Sequence, residues 1–202
     1  MKRRILHLSV PQFAVEVERV VDPSLRTRPV AIATSLSGDG RILECSQEAR
    51  RDQIFVSMSI EKALKLLPQL VVLPYNAPLY RRAYHALLRE CQVYSPLIEP
   101  YQHGHAYLEI SGMERLMGRS VDIAYRLCKE IRKKLRIPPQ SGIGSNKLIS
   151  RVADRVTRSE PVFEVFEERI GVFYQTFGGI DASRQVVELA PFQPEDGLQA
   201  RP

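Results

Sequence analysis

The run from Leu97 to Ile110 constrains this chain most: two strand-like segments, residues 97–101 and 105–110, have only a turn at His103-Gly104 between them. With so short a connection they can only fold back as an antiparallel hairpin. The rest of the chain must then supply that hairpin with partner strands and a covering layer. Ile5-Leu6-His7-Leu8-Ser9-Val10 reads as a buried strand, stopped at Pro11 because proline has no N–H to give to a ladder. Pro11 also suits the start of a helix, and Phe13, Ala14, Val17, Val20 and Val21 recur at helical spacing, which predicts an amphipathic helix over residues 11–21.

Between these two landmarks lies a separate block. Segments 28–33 and 41–45 are apolar strands joined through Gly38-Asp39-Gly40, a second hairpin. Gln47–Arg51 and Ser59–Leu67 read as short helices, the second capped by Ser59, and Val71-Val72-Leu73 as a strand. Pro78 opens a longer helix with Leu79, Ala83, Leu87, Leu88 and Cys91 inward, and Tyr80, Arg81, Arg82 and Arg89 outward. Past the 97–110 hairpin, Ser120 caps a helix to Leu135. Val121, Ala124, Leu127, Cys128, Ile131 and Leu135 face in, while Arg126, Lys129, Arg132, Lys133 and Lys134 face out. Gln140–Ile143 is extended, and Asn146 caps a helix through Val156. This order predicts an α+β fold: a ferredoxin-like antiparallel sheet covered on one face, with a small inserted lobe. The first strand and the 105–110 strand become neighbours, which brings Ser9 and residues 104–105 together at one edge of the sheet.

Charge narrows the partners. Twenty-nine Lys and Arg against 23 Asp and Glu give +6, an excess that favours a polyanion. Cys45, Cys91 and Cys128 are far apart and in no ligand spacing, so they read as reduced, packed thiols, which suits a cytoplasmic protein. Met1-Lys2-Arg3-Arg4 is basic like a secretion signal, but only Ile5–Val10 follows before Pro11, too short for a signal or a membrane span.

Several blocks, in order, resemble the Y-family translesion DNA polymerases. Members begin with a strand and Asp-x-Asp-x-Phe-Phe/Tyr followed by Val-Glu; here stand Ser9-Val10-Pro11-Gln12-Phe13-Ala14 and Val17-Glu18. Arg28-Pro29-Val30-Ala31 matches the opening of the family's fingers, and Gln47-Glu48-Ala49-Arg50 its Tyr-Glu-Ala-Arg segment, with Gln47 in place of the tyrosine. The motif Glu-Pro-x-Ser-Ile-Asp-Glu-Ala-Tyr-Leu-Asp is met by Glu99-Pro100-Tyr101-Gln102-His103-Gly104-His105-Ala106-Tyr107-Leu108-Glu109. Gly142-Ile143-Gly144-Ser145-Asn146-Lys147 resembles the later Gly-Ile-x-x-Asn-Lys segment. The resemblance implies a palm-like domain over 1–24 and 76–165, a fingers-like insertion over 25–75, and over 166–202 a C-terminal extension, a tail or the start of a thumb.

In the family, carboxylates at the positions of Ser9, Pro11, Gly104 and His105 hold two Mg²⁺ ions, and an aromatic residue at the position of Ala14 rejects ribonucleotides. None of these side chains is present. Mg²⁺ needs hard oxygen ligands, so no cofactor is expected. The implied function is a noncatalytic accessory or scaffold in DNA repair and translesion synthesis, like the inactive ImuB-type relatives. By that resemblance its partners are DNA, gripped weakly by this piece, an error-prone polymerase, a RecA-like protein and the sliding clamp, with no membrane. Two alternatives stand beside it. One is a DNA nucleotidyltransferase with relocated ligands, drawn from His7 and His105, with His103 beside them, or from Glu16 and Glu109; the second is a nucleotide-binding module without turnover, in which Arg50, Lys147 and Gln47 touch phosphates. Residues 185–192 faintly resemble a clamp-binding peptide.

Overall fold

Hydrophobic residues along Ile5–Ser9 place this segment, β1, in the middle of a sheet rather than at its rim, with all five residues buried. The computed structural model describes residues 3–37, 39–156 and 162–165. The extension from residue 166 on and the 185–192 peptide lie outside them. Along the chain follow α1 Phe13–Val21, β2 Val30–Ala33, β3 Ile42–Cys45, α2 Gln47–Arg51, α3 Ile60–Leu66, β4 Val71–Pro74, α4 Ala77–Gln92, β5 Ile98–Pro100 and β6 His105–Glu109. Then come α5 Glu114–Met117, α6 Ser120–Leu135, β7 Gln140–Gly144, α7 Lys147–Val156 and β8 Val162–Glu164. Packing groups these elements into two units, one formed by the described residues up to Val10 with Ala86–Lys134 and those from Pro138 on, the other by Pro11–His85 with Leu135–Ile137.

The first unit holds a five-stranded sheet in the order β5-β6-β1-β7-β8. β1 pairs antiparallel with β6 and β7, and β5 with β6, as the 97–110 hairpin requires. Two features depart from expectation. The sheet is mixed, because β8 adds to β7 in parallel; its three residues carry too short a pattern to read from sequence. It is also covered on both faces at β7. Cys128 on α6 lies 3.6 Å from the Ser141 hydroxyl on one side, whereas Gly142, the next residue, faces α7. A Cβ there would overlap Ser150 O and Asp154 N, and one on Gly144 would lie 2.6 Å from Ile149. Glycine at both positions is what lets α7 lie directly on the strand.

The second unit is built on β3-β2-β4, with β2 antiparallel to β3 and parallel to β4. Its core gathers Ala31, Ile42, Cys45, Ala49, Ile54, Ala63, Leu67 and Leu70. Helix α1 belongs here: Val15 N–H donates to Glu44 Oε1 at 2.9 Å, and Arg19 reaches both Glu16 (3.1 Å) and Glu48 (2.8 Å). That is why packing draws the unit wider than the expected 25–75 insertion. The helix begins at Phe13, two residues after Pro11, because Gln12 takes a left-handed conformation with φ 50°. On α4, Tyr80 is fully buried rather than outward, its hydroxyl donating to Glu18 Oε1 at 2.8 Å. On α6, Ile123 is buried and Val121 and Leu135 are only partly so; the outward cations are as expected.

Candidate functional site

The register of β1 against β6 sets Ser9 directly opposite His105. Beyond that pair, Val10 N–H donates to Gly104 O at 2.9 Å, and His105 N–H closes the turn on Gln102 O at 2.8 Å. Gly104 has φ 82°, a left-handed conformation that glycine adopts without strain. Glycine at this position is therefore matched to its turn. Because β1 is central, the three residues meet at the end of paired strands, not along an outer strand.

One face of this sheet carries polar groups that alternate along the strands. His7, two residues before Ser9, lies opposite Tyr107 and Gly142. It is 1% exposed, with Nε2 3.4 Å from His105 Nδ1 and Nδ1 3.1 Å from Asp154 Oδ2 on α7. The His7–Asp154 approach is at ion-pair distance without hydrogen-bond alignment. The carboxylate still favours the His7 proton on Nδ1, which leaves Nε2 to accept from His105 Nδ1–H. The two rings stack at 5.4 Å. Burial, and then the neighbouring His7, depress the His105 pKa to about 4; Asp154 opposes the shift, and Arg151 and Arg155 add to it. His105 is thus a neutral imidazole across the physiological range.

On the same face, Lys147 Nζ sits 2.5 Å from Glu99 Oε2 and 5.7 Å from the centre of the Tyr107 ring. The Tyr107 hydroxyl is buried without a hydrogen-bond partner, and burial raises its pKa to about 12. Tyr101, at the end of β5, meets Tyr107 edge-on at 5.8 Å, and the Arg151 guanidinium lies 5.5 Å over its ring. His103 is in the turn and exposed.

In the second unit, Ser46 caps α2 by accepting from Ala49 N–H, and the helix presents Gln47 and Arg50 to solvent one turn apart. Ala14 is buried in the first turn of α1, and Pro11 is partly exposed in the turn before it. Glu16 is bound by Arg19, with burial raising its pKa. Glu109 is bound by Arg3 and Ser111 and lies four residues along β6 from His105, about 13 Å at strand rise. At that distance along the strand Glu109 does not join Ser9 and His105 as a substitute ligand.

Sequence reasoning brought Ser9, Gly104, His105 and His7 together, and the fold does so. It missed Asp154 and Glu99 as partners of His7 and Lys147, and Tyr101 and Arg151 altogether. A signal existed for Asp154: it follows Lys147 by seven residues, two helical turns on the same face. As a Mg²⁺ site the donor set fails. Ser9 offers one hydroxyl and His105 a nitrogen, and of the carboxylates on this face Glu99 is paired with Lys147. That leaves Asp154, set against His7 with its Oδ1 unpartnered, as a single carboxylate where two Mg²⁺ ions need several hard oxygens. Among the described residues, no group of three or more His, Cys, Asp or Glu side chains is placed to hold a metal ion. No described helix is long and apolar enough to cross a membrane.

Comparison with known proteins bears on the family and the fold. Residues 8–155 match the model of the impB/mucB/samB family. A protein named DNA polymerase IV from Pseudomonas paraeruginosa is 30% identical over 174 residues, covering 85% of this chain and 49% of the relative. Its namesake from Ralstonia nicotianae is 29% identical over 171 residues, 85% of this chain and 48% of that one. The chain therefore spans about half the length of the curated relatives it matches. Among solved structures, the insertion ternary complex of Dbh DNA polymerase superposes with a TM-score of 0.78 at 19% identity, over 86% of this chain and 52% of that one. DinB from Sulfolobus solfataricus gives 0.77 at 19%, over 84% and 50%.

Proposed function

The chain belongs to the impB/mucB/samB family, the Y-family DNA polymerases, and we propose that within it this member is a noncatalytic accessory or scaffold of DNA repair and translesion synthesis. One observation carries the reading. Where the family pattern places metal-binding carboxylates, this chain has Ser9, Pro11, Gly104 and His105, and His105 is neutral and turned to His7. Phosphoryl transfer of this kind depends on metal ions that neutralise the charge of the moving group. A serine hydroxyl and an imidazole already engaged with a buried partner supply no such site. The shape of the palm persists because its packing residues, Ala106, Tyr107 and Leu108, are all buried. DNA is the expected partner, held weakly, with other repair proteins completing the assembly: an error-prone polymerase, a RecA-like protein and the sliding clamp.

The test is primer extension with Mg²⁺ and with Mn²⁺, comparing the unmodified chain with a variant carrying Ser9→Asp, Pro11→Asp, Gly104→Asp and His105→Glu. Template-dependent extension by the unmodified chain would overturn the reading. Extension only by the variant would locate the loss in these four positions.

A further inference from the structure

Tyr101 is the odd residue of the polar face. Its neighbour Tyr107 is 1% exposed, whereas Tyr101 remains 41% exposed at the end of β5 although it is held on two sides. Tyr107 meets it edge-on and the Arg151 guanidinium lies over the ring. A ring fixed in this way loses little further freedom when a second flat group packs against it. Arg155 follows Arg151 by one turn on α7 and is exposed, and neither arginine has an acidic partner among the described residues. Glu99, on the same face of the sheet, is taken by Lys147.

We propose that Tyr101, Arg151 and Arg155 form a binding site for single-stranded nucleic acid, in which an unpaired base stacks on the Tyr101–Arg151 layer and the arginines take the flanking phosphates. A preformed aromatic surface beside uncompensated cations has the two elements that such strands require: π-faces for bases and positive charge for the backbone. The site deepens the reading above and rests on it only for nucleic acid as the partner; it does not depend on whether the chain catalyses.

The chain contains no tryptophan, so Tyr101→Trp installs a single reporter in it. A twelve-residue thymidine oligonucleotide at low salt is expected to quench its fluorescence, and an abasic strand of equal charge is not. Tyr125→Trp, on the cationic α6 where Tyr125 is 54% exposed, should show no quenching. By fluorescence anisotropy, Tyr101→Ala should weaken binding roughly 5- to 100-fold, as loss of one stacked base does. Arg151→Ala and Arg155→Ala should each reduce the slope of log affinity against log salt by about 0.7. A thermal melt by circular dichroism checks that each variant is folded, and Tyr101→Phe, which keeps the ring, should bind like the unmodified chain. Equal quenching by the abasic strand, equal quenching of the Tyr125→Trp and Tyr101→Trp reporters, or undiminished binding by a folded Tyr101→Ala would each overturn the site. So would absence of oligonucleotide binding by the unmodified chain, an outcome that leaves the primer-extension result, and with it the noncatalytic reading, untouched.

Discussion

Acidification should destabilise this protein through one imidazole. His105 has an ordinary pKa of 6.5 and a folded value of about 4. Because the folded value is the lower one, protons bind the unfolded chain more readily. Stability from this residue is intact above pH 6.5, falls as the pH drops toward 4, and levels off below. The difference of about 2.5 pH units, at about 1.36 kcal/mol each, sets a ceiling of about 3.4 kcal/mol. The ring is only half-buried and water screens part of that penalty, so the expected loss is about 1–2 kcal/mol. Carboxylates titrate in the same window, and burial raises the pKa of Glu16, Glu44 and Glu164, which favours the folded state on acidification. The comparison must therefore be between the unmodified chain and His105→Gln. Urea unfolding at pH 7 and at pH 4.5 should show the variant losing about 1–2 kcal/mol less than the unmodified chain. Parallel losses in the two would refute the assignment of a depressed pKa to His105, and with it the close His7–His105 contact as its second cause.

Other perturbations follow from the packing. Gly142→Ala should cost about 3 kcal/mol or more, read by urea unfolding, because the new methyl meets main-chain atoms of α7 that no rotamer change can move aside. Tyr80→Phe should cost about 1–2 kcal/mol in the same assay, as the Glu18 carboxylate loses its buried donor. Ser46→Ala should lower the melting temperature by an amount matching about 1–3 kcal/mol, since the buried hydroxyl accepts from both Val30 and Ala49 N–H groups and holds α2 under Gln47 and Arg50.

What could be read from the sequence was what repeats locally. The period of α6 located its buried stripe and its cationic surface, and the short turn at His103-Gly104 fixed a strand pair. Misplaced residues were those whose role depends on a distant partner. Tyr80 has the polar tip of a surface residue, yet its hydroxyl finds Glu18, 62 residues earlier in the chain. β8 is three residues long and exists because β7 offers it an edge. The Asp154–His7 contact joins a helix to a strand, and the extended segment read at 140–143 gave no sign that glycine there lets α7 lie on it. At the site, the missing carboxylates were visible at once, but not what occupies their place, since the facing of His105 toward His7 is set by strand register.

The central position of β1 also bears on the order in which the molecule is made. Ile5–Ser9 leaves the ribosome ahead of the other strands, yet its partner β6 begins at His105, which is 105 − 9 = 96 residues after Ser9. At about 5–20 residues per second, the strand waits about 5–20 s for a ladder, and longer for β7. In that interval residues 11–85, which carry a sheet and a core of their own, are already synthesised. The five residues that end among the most protected in the protein are thus among the longest without their strand partners during synthesis, a mainly apolar run open to wrong pairings until the hairpin arrives.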